Sequence, residues 1–118
     1  MKIIFLICIS VFVCGCSSVP VDHTEIVIPE VKSPHLWSGH KKLKYSANLC
    51  SVKGESILKS LGFKSVVKNS NNVYGKFNDN TAAIKCVPNG DGSFVYTAVA
   101  GPIRDIVERL RNEIVWKL

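Results

Sequence analysis

Histidine is scarce in this 118-residue chain, and where it occurs it is badly placed for chemistry. His23, His35 and His40 all precede the region that patterns as a folded domain, so nothing holds an imidazole at a fixed distance from a nucleophile or a metal. His35 and His40 also miss the i, i+4 spacing that puts two ligands on one helix face. No Cys-x-x-Cys pair exists, which excludes a dithiol redox site, and no serine stands in a Gly-x-Ser-x-Gly setting. Aspartate and glutamate are few, 9 against 15 Lys and Arg, and those near the C-terminus, Asp105, Glu108 and Glu113, have basic neighbours at helical spacing. None is set beside another for acid and base work. These absences predict a protein that is not an enzyme and carries no cofactor and no metal. Past the first sixteen residues, no apolar run approaches the roughly 20 residues of a membrane-spanning helix.

What is present begins with those sixteen residues. Lys2 is followed by an apolar and small run from Ile3 to Val13, the pattern of a secretory signal peptide. The exit, Val13-Cys14-Gly15-Cys16, resembles the lipobox of bacterial lipoproteins, with Cys14 as a small, uncharged departure from the usual residue and Val13 where leucine is commoner. The resemblance covers the leader alone. It implies cleavage after Gly15 and a diacylglycerol on the Cys16 sulfur. Serine rather than aspartate at position 17 further implies the outer membrane, facing the periplasm, if the source is Gram-negative.

That reading also sorts the cysteines. Cys8 and Cys14 leave with the leader and Cys16 carries the lipid, so Cys50 and Cys86 remain as one pair in an oxidising compartment, where a disulfide is expected. The alternative is two buried free thiols.

Residues 16–46 read as a lipidated N-terminus and flexible tether. They contain Pro20, Pro29 and Pro34 and show no helical period, although 24–28 alternates weakly enough for an edge strand. Within the tether, Trp37, Lys41, Lys42, Lys44 and Tyr45 suit a membrane headgroup layer or an acidic partner surface. The competing reading is that Trp37 and Leu43 cover one edge of the sheet. The chain carries a net charge of +6, which in an exported protein suits anionic lipid or an acidic partner better than nucleic acid; the competing reading is that the charge serves solubility alone.

A compact domain is expected over 47–118. Cys50, Gly54, Ile57, Leu58 and Leu61 recur at helical spacing, and Gly62 supplies a left-handed stop. Gly54 inside that helix is explained by close approach to a strand. Three or four strands follow, at 65–68, 73–78, 81–87 and 94–100, joined by turns rich in Asn, Asp and Gly that only antiparallel neighbours can use. Alternation places Ala82, Ile84 and Cys86 on one face, so Cys86 points towards the helix that carries Cys50. Gly101-Pro102 opens a last helix, with proline at its first position and Ile103, Ile106, Val107, Leu110 and Ile114 as its core stripe.

The expected fold is therefore α+β, in the order α-β-β-β(-β)-α, with a three- to four-stranded antiparallel sheet and both helices on one face. The face left uncovered carries Tyr74, Lys76 and Lys85. Function is expected to be protein binding by an envelope lipoprotein, as assembly subunit, inhibitor or immunity protein. The alternatives are a module that grips anionic lipid, lipopolysaccharide or peptidoglycan, and a small envelope hydrolase.

Overall fold

The computed structural model describes residues 32–118 and, before them, only Gly15. The expected signal peptide and Cys16 thus lie outside the described residues. Seven elements follow in order: β1 (His35–Leu43), α1 (Ala47–Ser60), β2 (Lys64–Asn69), β3 (Asn72–Phe77), β4 (Asn80–Asn89), β5 (Gly92–Gly101) and α2 (Arg104–Lys117). The strands form one five-stranded sheet in the order β1-β5-β4-β3-β2, with every neighbouring pair antiparallel.

The α+β antiparallel class is as expected, but the strand number and element order are corrected. The sheet has five strands, and a strand rather than a helix comes first. This strand, β1, is drawn from residues assigned to the tether, so the folded body starts before Ala47. Its inward residues explain why it escapes a periodicity test: His35, Trp37, Gly39, Lys41 and Leu43 alternate with more exposed neighbours, yet only two of the five are large and apolar.

Local chemistry sets the other boundaries. The Ser46 side chain accepts from the Leu49 amide at 3.2 Å and caps α1. At the far end Gly62 takes φ +89°, its amide and that of Phe63 donate to the Lys59 and Leu58 carbonyls, and Phe63 tucks into the core. The start of α2 differs from expectation. Ile103 is the N-cap and is 55% exposed, so Pro102 precedes the helix instead of beginning it. The stripe that packs is Val107, Leu110 and Ile114, flanked by half-buried Ile106. Neither Asp105 with Arg109 nor Glu113 with Lys117 closes to an ion pair; among the described residues the only such contact is Lys59 to Glu55 at 2.7 Å.

Register proves that the two helices share a face. Gly39, Thr97 and Ile84 are partners in one cross-strand row and so point the same way. A β-carbon on Gly39 would lie 3.1 Å from Arg111 and Val115 of α2, while one on Gly54 of α1 would lie 3.1 Å from the Ile84 side chain. The missing side chain at Gly54 therefore lets α1 settle directly on β4, as the sequence implied. Between the layers Leu58, Val73, Ile84, Val95, Val99, Val107 and Ile114 are fully buried, each contributing roughly 1.5–3 kcal/mol of apolar transfer. Cys50 and Cys86 meet in this layer as a disulfide that ties α1 to β4, with their Cα atoms 6.1 Å apart.

Candidate functional site

With both helices on one side, the opposite face of the sheet stands open, and the register lays it out in rows. The first row runs Leu36, Ala100, Thr81, Lys76 and Lys64; the second runs Ser38, Ala98, Ala83, Tyr74 and Val67. A third contains His40, Tyr96, Lys85 and Asn72, and a fourth Lys42, Phe94 and Val87. Small side chains at Ser38, Ala83 and Ala98 leave a shallow depression of about 480 Å³ in the middle, bordered by Tyr74, His40, Tyr96 and Lys85.

Aromatic contacts stiffen one side of this depression. His40 stacks on Phe94 with ring centroids 5.6 Å apart, and Phe94 meets Tyr96 at 4.9 Å in a tilted pair. Tyr74 and Tyr96 remain 48% and 53% exposed on this face.

The electrostatics are one-sided. Lys42, Lys64, Lys76 and Lys85 are all exposed in these rows. No Asp or Glu among the described residues stands in these rows: Glu55 is on α1, Asp105, Glu108 and Glu113 are on α2, and Asp79 and Asp91, in the β3–β4 and β4–β5 turns, border the face at its ends, beside Thr81 and beside Lys42. Lys64 stands directly opposite Lys76 across the β2–β3 pair. Like charges so placed repel each other, and an anion bound between them removes the repulsion. Away from this face, on α1, a hydrogen bond from Lys59 holds the Glu55 carboxyl below its ordinary value.

The residues singled out in the tether do not form one surface. Trp37 points under α2, where the Arg104 and Arg111 guanidinium groups lie 5.7 and 5.5 Å from its ring. Lys41 lies on that same side, beside α2, whereas Lys42 projects onto the open face. Lys44 is exposed beyond the end of β1. Tyr45 is half-buried: its hydroxyl donates to the Leu118 backbone oxygen, the Lys53 ammonium sits 4.3 Å from its ring, and burial pushes its pKa up. His35 and His40 belong to a strand and not to a tether, and no cluster of three metal-ligating side chains exists among the described residues.

Tyr74, Lys76 and Lys85 do lie on the uncovered face, as the alternation implied. His40, Lys64, Phe94 and Tyr96 were missed. The last two carry a usable signal, since Phe94 and Tyr96 alternate with buried Ser93, Val95 and Thr97. His40 carries none, because its neighbours are fixed only by pairing with a strand far along the chain.

Set against family models, curated proteins and solved structures, the chain matches none of them.

Proposed function

We propose that the chain is a membrane-anchored envelope lipoprotein that acts by binding, and that its open sheet face docks an acidic surface on another envelope protein. The observation that carries this reading is the separation of charge: Lys42, Lys64, Lys76 and Lys85 share the strand rows of one face with exposed Tyr74 and Tyr96, and no described Asp or Glu stands in those rows, Asp79 and Asp91 lying only at their ends. Aromatic side chains beside cations give a partner apolar area at low entropic cost together with electrostatic steering. The lipobox-like Val13 to Cys16 segment and the Cys50–Cys86 disulfide support the envelope as the compartment.

The test compares the full chain with a Lys76→Glu/Lys85→Glu variant in capture from envelope extract, at low and high salt. Salt-sensitive capture of a protein should be lost in the double variant and kept in Lys59→Gln, which alters an exposed lysine on α1. Capture that survives the double charge reversal would place recognition elsewhere. Loss of binding to anionic vesicles, with no protein captured by the unaltered chain, would replace the protein partner with a lipid surface.

A further inference from the structure

The two edges of the sheet are not alike. At the β2 edge the register breaks between Lys64 and Val67, and Ser65 takes φ 50°, so that edge is bulged and ill suited to pair further. At the β1 edge all nine residues, His35 to Leu43, hold unbroken register with β5, and no proline or bulge interrupts them. A regular edge of this length, whose outer side pairs with none of the described strands, is a template for another strand.

We infer that the strand which fits it is β1 of a second copy, paired antiparallel about a two-fold axis through Gly39. Gly39 is the midpoint of the strand, so this register uses its whole length. It sets Ser38 opposite His40 of the second copy, Trp37 opposite Lys41, Leu36 opposite Lys42 and His35 opposite Leu43. No lysine meets a lysine, and each lysine meets an indole or an aliphatic side chain that its stem can cover. Centring the pair two residues further along, on Lys41, would put that lysine opposite its own copy.

The helix layer fits the same operation. A two-fold axis perpendicular to the sheet keeps the helix faces of both copies on one side. Because α2 packs across β1 and β5, pairing the edges brings the two α2 helices to roughly two strand spacings, about 10 Å, which is the ordinary distance for packed helices. The flank of α2 that would meet its mate carries Arg111 and Val115, the two side chains that overhang Gly39 of β1. Pairing covers it. The result is a ten-stranded continuous sheet with a single open basic face twice as wide.

Cross-linking by single cysteines tests this register in the full chain in detergent, with Cys8, Cys14 and Cys16 changed to serine and the Cys50–Cys86 bond left in place. Under mild oxidation a mixture of Ser38→Cys and His40→Cys chains should yield a covalent dimer in excess of either variant alone, because each cysteine faces the other and not itself. A mixture that cross-links no better than the separate variants would overturn the Gly39-centred pairing, and a monomer mass across the micromolar range would overturn the second copy altogether.

Discussion

Removing the Cys50–Cys86 bond should cost this fold a large part of its stability, and the size of the loss can be worked out. The bond spans 36 residues of sequence. In the chain-entropy description, closing a loop of that length constrains the unfolded state by about 4 kcal/mol at room temperature. A body of this size has a total stability of roughly 4–13 kcal/mol, at about 0.05–0.15 kcal/mol per residue. The Cys50→Ala/Cys86→Ala variant is therefore expected to retain between almost none and about two thirds of the original stability. With a urea m-value of about 1–1.5 kcal/mol/M, the midpoint should fall by roughly 3 M, and m itself should rise because the released unfolded chain exposes more surface. Equilibrium urea unfolding followed by circular dichroism measures both. The single variants decide the mechanism. If the cross-link is the source, Cys50→Ala and Cys86→Ala each lose about as much as the double variant, since either one opens the loop. Additive single losses, or a double-variant loss below about 1 kcal/mol, would refute the reasoning and return both sulfurs to the status of ordinary core atoms.

Two further outcomes are expected. The Tyr45 pKa is raised by burial, so the folded state holds the phenolic proton more tightly than the unfolded state; the associated stability is fully present below pH 10, the ordinary value, and is lost as pH rises through the folded-state value. Urea midpoints taken between pH 8 and 11 should therefore fall more steeply in the unaltered chain than in Tyr45→Phe, and parallel curves would contradict the assignment. Cys16→Ser should move the protein from the membrane fraction to the soluble fraction and leave the leader uncleaved; unchanged fractionation with normal processing would remove the lipid anchor from the proposal.

The elements legible in the sequence are those whose burial follows a short repeat. Cys50, Gly54 and Leu58 on α1, and Val107, Leu110 and Ile114 on α2, recur at helical spacing because each helix turns one stripe to the sheet. In β4 the alternation of Ala82, Ile84 and Cys86 with exposed or half-buried neighbours set the face of the strand, and with it the disulfide. β1 was invisible for the opposite reason. It is an edge strand whose inward positions include Gly39, where α2 presses close, and Lys41, whose stem lies beside α2, so neither reads as core. The open face was half legible: Tyr74, Lys76 and Lys85 follow from local alternation, but bringing His40 beside Phe94 and Tyr96 required the pairing of β1 with β5, which no local pattern encodes.

That pairing also governs the order in which the molecule assembles. β2, β3, β4 and β5 are joined by tight turns, so their ladders close locally, whereas His35 waits for Gly101 and Leu43 for Ser93. Among the described strands, the one made first on the ribosome is thus among the last to find its place, because its neighbour β5 comes after every other strand. While β5 is still absent, β1 lacks its partner among the described strands, so the β1–β5 ladder is the one that closes last.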